Sequence, residues 1–448
     1  MKLLGIYLYD YQQFKNFELD FTYPAGHEKA GQALDKVCFI GRNGTGKTTL
    51  LTLIYHNIHL LLANSGISVI FKIELQGTKL YVLKSTVDHY CVFNENIIGI
   101  NNWKKKYFDN PLKFVKDYSL FKYNNTDEVL SKIPFAKNSS DLLIYVPSES
   151  DHNAYSQIND VPQTSLNEAI KLFDLFPYAH LISNDSIKNF WNVLTYQVKK
   201  RENDLREFQN LDINLDKTVR EVQEEFEKNN PKILDEIAIL WDRILNKANL
   251  EFDSKNASNP VQLNDNLKAY INIKGGGQRI GYNQLSNGIR NFIFRLGHIY
   301  SLYFNRDIQN GFLLIDEPEN NLYPDFLYGL IETYLGFIKN TQFFVATHSP
   351  IIAAQFESYE RIILDFNDDG TVYTRTGETP IGDDPNDLLV KDFNVRSLLG
   401  KEGIKKWERY IELKRIIPKV ADDQEKSRLL DEFMQIGNDY NFSGNEVF

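Results

Sequence analysis

The chain has 448 residues, 42% of them hydrophobic and 25% charged, with a formal net charge of −10. That is length for two or three domains, or for one large domain with insertions, and enough apolar content for a sizeable core, which excludes wholesale disorder. The acidic balance excludes a general nucleic-acid coat protein, the two cysteines (Cys38 and Cys91) form no CxxC pair that would hold zinc, and no apolar run approaches a membrane span.

The opening "LLGIYLYDYQQFKNFELDFTY" reads as two strands joined by a polar turn. It turns polar too soon for a signal peptide, so a cytosolic protein is the expectation. "KVCFIGRNGTGKTTLLTLIYHNIHLLL" reads as a buried strand, a glycine loop and an apolar helix. "SVIFKIELQGTKLYVLKST" and "HYCVFNEN" read as antiparallel strands with a Gln-Gly turn, and a lysine- and aromatic-rich stretch follows from Trp103 to Tyr123. "DLLIYVPSES" is a short buried strand that stops at a proline. From about Ser165 to Leu250 the pattern is helical and charged, with a break expected at Asn229-Asn230-Pro231. "AYINIKGGGQRIGYNQLSNG" returns to strands and turns, "GFLLIDEP" and "QFFVATHSP" are two more buried strands, and the tail after about Gly382 is helical again. Strands alternating with helices around a glycine-rich loop indicate an α/β core.

Gly41 to Thr48, "GRNGTGKT", fits the pattern G-x-x-x-x-G-K-[ST] between a buried strand and an apolar helix. Such a P-loop wraps a phosphate in successive backbone N–H groups, here from Asn43, Gly44, Thr45, Gly46, Lys47, Thr48 and Thr49, and adds the positive end of the helix. The expected ligand is ATP with Mg²⁺. Lys47 reaches the β- and γ-phosphates, and Thr48 ligates Mg²⁺. "FLLIDEPENN" ends a buried strand in two carboxylates, which is costly unless a cation is near. Asp316 is therefore the second Mg²⁺ residue, and Glu317 the general base for the attacking water. His348, ending "FFVATHSP", contacts the γ-phosphate or orients the water.

Leu285-Ser286-Asn287-Gly288 stands directly before the apolar run "FIFRLGHIYSLYF". Read alone, it is a serine N-cap with a glycine beside it. Taken with Gly41–Thr48, Asp316-Glu317-Pro318 and His348, the order resembles the ABC-type ATPases, specifically the branch that includes the SMC, RecF and OLD proteins. "DEPENNLYP" is similar to that branch's run after the second acid, with a D-loop at Glu319-Asn320-Asn321-Leu322. The resemblance covers roughly residues 1–60, 140–150 and 270–365. It implies that Ser286 and Gly288, with Arg290 as helper, contact the γ-phosphate held by a second copy, so that two ATP molecules lie between two protomers. The sequence departs from the family in two places. Ile289 stands where Gln or Glu follows the signature glycine. No glutamine immediately follows the strand leading to the insertion, which leaves Gln157, Ser148 or Glu149 for the metal-sensing role.

The expected fold class is thus α/β. It is a P-loop ABC-type ATPase head of mixed sheet and antiparallel lobe, with a helical or short coiled-coil insertion and a helical C-terminal tail. The expected division is a first lobe at 1–160 with the P-loop, the insertion at 161–260, a second lobe at 261–381 with the signature, Asp-Glu and histidine motifs, and the tail at 382–448. "GKEGIKKWE" has the Glu402-Gly403 pair of a Toprim nuclease, but no Asp-x-Asp strand follows, so a built-in nuclease is rejected. A compact ATPase of this branch resembles the ATPase component of two-gene bacterial anti-phage systems such as Septu, PARIS and the retron-linked type. The resemblance implies a homodimer, or a larger assembly of dimers, that controls a separate nuclease or toxin docked on the tail, with no membrane partner. The alternative is a RecF-like recombination or repair ATPase that contacts DNA through "NNWKKKYFDNPLKFVKDYSLFKY", where lysines alternate with aromatics. The energising subunit of a transporter is a third reading, disfavoured by the insertion and the DEPENN run.

Overall fold

Short, mostly apolar runs of six or seven residues form the strands that carry the nucleotide motifs and their neighbour in the sheet. In the computed structural model these are β3 (Lys36–Gly41), β7 (Asp141–Val146), β12 (Asn310–Asp316), β13 (Thr341–Ala346) and β14 (Arg361–Phe366). With β8 (Ala179–Leu181) and β15 (Val372–Thr376) they make a seven-stranded sheet in the order β15-β14-β3-β13-β12-β7-β8. All neighbours pair in parallel except β14 with β15. The structure describes residues 1–59, 69–75, 77–86, 89–93, 103–118, 140–148, 178–182, 197, 200–252, 271–275, 279–280 and 285–442.

A second sheet is antiparallel, in the order β2-β1-β4-β5-β6: β1 (Lys2–Tyr11), β2 (Phe14–Asp20), β4 (Val69–Leu75), β5 (Thr78–Thr86) and β6 (His89–Phe93). Its inner face packs with helix α1 (Lys47–His59) and the first sheet around one core. Phe21, Phe39, Phe312 and Phe344 in that core are fully buried, and each such ring contributes about 2 kcal/mol of transfer free energy. Gln342 lies within β13 where a strand interior is normally apolar. Its side-chain amide accepts from Leu3 N and donates to Leu3 O, both at 2.9 Å, and so joins the two sheets while satisfying its own polar atoms.

The outer face of the antiparallel sheet is covered by α2 (Trp103–Asp109) and α3 (Pro111–Tyr118). Trp103, Tyr107 and Phe114 pack on Tyr7, Ile70, Tyr81 and Leu83. This packing favours the reading of the stretch as a covering lobe over the alternative in which its aromatics stack on DNA bases. Trp103, Tyr107 and Phe114 are core, because a sheet face of Tyr and Leu must be covered. Lys104 ion-pairs with Glu18, and Lys105 and Lys106 are exposed. Residues 119–123 of the stretch lie outside the described residues.

The described part of 200–245 is three helices separated by turns: one ending at Gln209, α4 (Val219–Asn229) and α5 (Ile233–Leu245). Thr218 and Glu221 form a capping box at the start of α4, and the chain leaves the helix at Asn230-Pro231, where proline cannot donate to a continuing helix. Strand β8, inside the stretch expected to be the insertion, belongs to the main sheet. A small antiparallel sheet of β9 (Leu250–Phe252), β10 (Ile271–Ile273) and β11 (Arg279–Ile280) follows. Helix α6 (Asn287–Tyr303) then packs on α5, with the Trp241 indole donating to Ile293 O at 2.9 Å.

The chain divides into two compact units, Met1–Gly382 and Asp383–Phe448. The second unit is built on α7 (Lys401–Ile416) and α8 (Asp423–Tyr440), around Tyr410, Leu413, Ile417, Ile436 and Phe442. Arg409 forks onto both carboxylate oxygens of Glu432 at 2.9 Å. No helix among the described residues is long and apolar enough to cross a membrane.

Candidate functional site

Parallel strands bring their C-terminal ends to one edge of a sheet, and ligands bind there in open α/β folds. Here that edge collects the residues after β3 (the P-loop), after β13 (Thr347-His348), after β12 (Glu317) and after β7 (Pro147-Ser148). Most of the sequence motifs therefore converge because four separate apolar runs are adjacent, parallel and in register.

The P-loop turns at once out of β3. Gly46 has φ +95°, and a Cβ there would stand 2.2 Å from Gln13 Nε2 and 2.5 Å from Phe14 Cζ, so only glycine fits beside the β1–β2 turn. Asn43, Gly44 and Thr49 are on the accessible side of the loop and helix start, and the Thr45 hydroxyl closes the loop onto Arg42 O at 2.8 Å. Lys47 donates to Gly41 O at 2.9 Å and Arg42 O at 3.2 Å. Burial pushes its ammonium down to about 8, and Asp316, Glu317 and Glu319 oppose that shift. One partly desolvated ammonium thus faces three carboxylates.

Thr48 Oγ1 donates to Asp316 Oδ2 at 2.7 Å. Asp316 is buried, and this desolvation raises its carboxyl above the ordinary range, as does the charge of Glu317. Hydrogen bonds from Thr48 and Ser148 hold the ionised form against that push. Hydroxyl and carboxylate together are a pair of hard oxygen donors, the type that binds a divalent cation shared with phosphate oxygens. Of the three residues considered for the metal-sensing place, Ser148 reaches Asp316, while Glu149 and Gln157 lie outside the described residues. Arg295 of α6 donates to Pro147 O at 3.0 Å, and Asn320 to Ser148 O at 3.0 Å, which fixes that turn.

Glu317 is the first residue beyond β12 and takes a left-handed backbone, φ +48°, uncommon for a side chain of its size. Its Oε1 stands 3.9 Å from His348 Nε2, beyond hydrogen-bond range, with both side chains 37% exposed. Burial, followed by the charge of Lys47, lowers the His348 imidazole below its usual value, with Asp316 opposing, so the ring is neutral near pH 7. Glu319 was expected only as a D-loop residue. Its Oε1 accepts from Thr347 Oγ1 at 2.6 Å, His348 N at 2.8 Å and Ser349 N at 3.2 Å. The D-loop therefore positions the histidine's main chain. The signal in sequence was weak: one more acid in a run of polar residues.

Ser286 is the N-cap of α6, accepting from Ile289 N at 3.4 Å, so the bland reading of this stretch holds. Gly288 is buried against the D-loop of its own chain. A Cβ there would lie 1.8 Å from Asn321 O. Among the described residues, no hydrogen bond of Ser286 reaches the P-loop, and Ser286 is exposed beside a cleft lined by Asn321, Leu322, Tyr323 and Phe326. Arg290 is the fourth residue of α6 and ends its first turn.

A glycine loop with its lysine and threonine, closed by a strand-end carboxylate, defines a P-loop nucleotide-binding protein. A family model described as an AAA ATPase domain (AAA_15) matches residues 1–353, and the chain belongs to that family of ATPases. No curated protein matches the sequence. Similar solved structures include an SMC head bound to the C-winged helix domain of ScpA, at 10% identity over 84% of this chain and 98% of that one, TM-score 0.41. The SMC head domain from Thermotoga maritima is similar at 12% identity over 85% of this chain and 100% of that one, TM-score 0.38. An Smc head domain with an extended coiled coil, bound to the C-terminal domain of ScpA derived from Pyrococcus furiosus, is similar at 11% identity, 84% and 96% coverage, TM-score 0.39. The strand order and the family match carry the ATPase fold.

Proposed function

We propose that the chain hydrolyses ATP with Mg²⁺ as a pair of copies closed around two ATP molecules, and that its nucleotide state controls a separate effector, a nuclease or toxin, in bacterial anti-phage defence. The Thr48–Asp316 contact carries the chemical part of the reading. In it the P-loop hydroxyl and the strand-end carboxylate already touch, and these two oxygen donors would hold Mg²⁺, whose positive charge would offset the negative charge of the phosphates. Lys47 neutralises the β- and γ-phosphates. Glu317 takes the proton of the attacking water, and neutral His348 orients it. Hydrolysis frees the γ-phosphoryl group as inorganic phosphate, and its departure removes the anion that joins the closed pair, so the cycle works as a switch.

Pairing rests on Ser286. It is an exposed serine at a helix N-terminus, and such a position suits an anion supplied from outside the chain. Gly288 serves this arrangement indirectly, by letting α6 meet the D-loop closely. Effector control rests on the resemblance together with the separate helical unit Asp383–Phe448, whose exposed apolar residues include Ile404, Ile416 and Met434. The RecF-like alternative loses support from the burial of Trp103, Tyr107 and Phe114, which leaves Lys105 and Lys106 as an ordinary charged face. The test is Ser286→Arg. ATP binding by the single chain should persist while hydrolysis and pairing are lost. Turnover at the wild-type rate would overturn the two-chain site. For the effector, expression with the neighbouring genes should bring a nuclease or toxin through purification, and repair proteins coming along instead would favour the alternative.

A further inference from the structure

Strand order fixes which way a nucleotide must lie in the P-loop. On one side of β3 stand β13 and then β12, whose ends carry His348 and Asp316-Glu317, the groups assigned above to the terminal phosphate. The triphosphate therefore runs from the loop toward β12, and the nucleoside has to leave on the opposite side, across the end of β14. What stands there is aromatic. Phe366, the last residue of β14, is 37% exposed although the rest of the strand is buried. A Cβ placed on Gly44 would be 3.8 Å from Phe366 Cζ, so the ring lies against the outer turn of the P-loop. Leu364, two residues earlier, is in register with Gly41, which places the end of β14 level with the start of the loop.

Two further contacts hold this corner. Gln13, in the β1–β2 turn, donates from Nε2 to Gly44 O at 3.3 Å, and its own carbonyl accepts from Val372 N at 3.2 Å. Arg42, exposed on the loop, reaches Asp365 with Nε 3.7 Å from Oδ1. The loop beside the ring is thus held by the amide of one turn, and its Arg42 reaches the residue before Phe366.

We propose that Phe366 is the base platform of the nucleotide site: its ring stacks on the purine of the nucleotide whose phosphates occupy Gly41–Thr48, with Gln13 pinning the loop beside it. The proposal rests on the nucleotide reading above and adds a residue that no phosphate-loop pattern contains. A flat aromatic face suits a base because stacking is sequence-tolerant and works at a half-exposed site.

The test compares two ligands that share phosphates and differ in the base. Dissociation constants of Mg²⁺-ATP and Mg²⁺-tripolyphosphate are measured by calorimetry on the full chain and on Phe366→Ala, Phe366→Leu and Phe366→Trp. Phe366→Ala and Phe366→Leu should each weaken ATP about tenfold and leave tripolyphosphate unchanged, while Phe366→Trp restores ATP binding. Phe366→Leu keeps an apolar side chain at the position, so it guards against simple unfolding. Unchanged ATP affinity, or an equal loss for both ligands, would overturn the platform, the second because the ring would then merely prop the loop. Either result leaves the nucleotide reading standing. If the unmodified chain bound neither ligand, that reading would fall and the platform with it.

Discussion

The hydroxyl of Thr48 meets the carboxylate of Asp316 at 2.7 Å, although 268 positions separate them in sequence. The contact exists because β3 and β12 are both neighbours of β13 in one parallel sheet. If the pair holds Mg²⁺, ATP hydrolysis stops in excess chelator and returns on adding Mg²⁺. Asp316→Asn should weaken the metal requirement's midpoint at least about tenfold, since one oxygen donor loses its charge. A colourimetric phosphate assay across a Mg²⁺ titration reads both, and chelator-insensitive turnover would remove Thr48 and Asp316 from the metal role.

Glu317 is accessible and close to neutral His348, while Asp316 is buried and bonded to two hydroxyls. Two adjacent carboxylates thus have different environments and different work. Glu317→Gln should lower kcat by about 100-fold or more and leave the ATP dissociation constant nearly unchanged. Single-turnover kinetics beside equilibrium binding separates the two effects.

At Gly288 a methyl group would collide with the D-loop backbone at Asn321, 1.8 Å away. Backbone cannot rotate aside as a flexible side chain can. Gly288→Ala should cost about 1–3 kcal/mol of stability, through displacement of α6 from the D-loop. Thermal melting and ATPase assays on the same sample check this. A variant with unchanged melting and turnover would show that the close approach is relieved without consequence.

Residues from Asp383 onward form their own compact unit. A chain ending at Gly382 should fold, with its ATPase rate within about twofold of the full chain, because such units form around their own cores. Pull-down of the effector from the coexpressed operon should be lost. Retained capture would place the docking surface elsewhere.

The strands carrying the nucleotide motifs were legible in the sequence because each is a short apolar run with a functional residue at its end. Strands β14 and β15 were missed: "RIILDF" and "VYTRT" follow the last motif and carry no residue of the expected chemistry. Strand β8 was hidden by its three-residue length inside a helical region. Within the candidate site, residue types and spacing singled out Lys47, Thr48, Asp316, Glu317 and His348, since each fits a phosphate-handling pattern, and the fold brings them to one sheet edge. They did not reveal the Glu319 carboxylate holding Thr347, His348 and Ser349, or Ser148 on Asp316, because those links depend on how two loops meet. The aromatic and lysine alternation of 103–114 was ambiguous for a related reason. A covering helix and a nucleic-acid face share that composition, and the tyrosine-rich sheet face beneath settles it for Trp103, Tyr107 and Phe114.

Whether two chains share one catalytic chamber is tested most directly by mixing Glu317→Gln with Ser286→Ala, which removes the hydroxyl without the bulk that blocks pairing. The first lacks the base but presents an intact Ser286. The second has an intact P-loop and Glu317 but cannot serve its neighbour. A mixed pair contains one complete site, so mixing should restore ATP hydrolysis that neither variant shows alone, rising with the fraction of mixed pairs. A mixture no more active than the sum of its parts, in a chain that hydrolyses ATP when unmodified, would contradict the shared site.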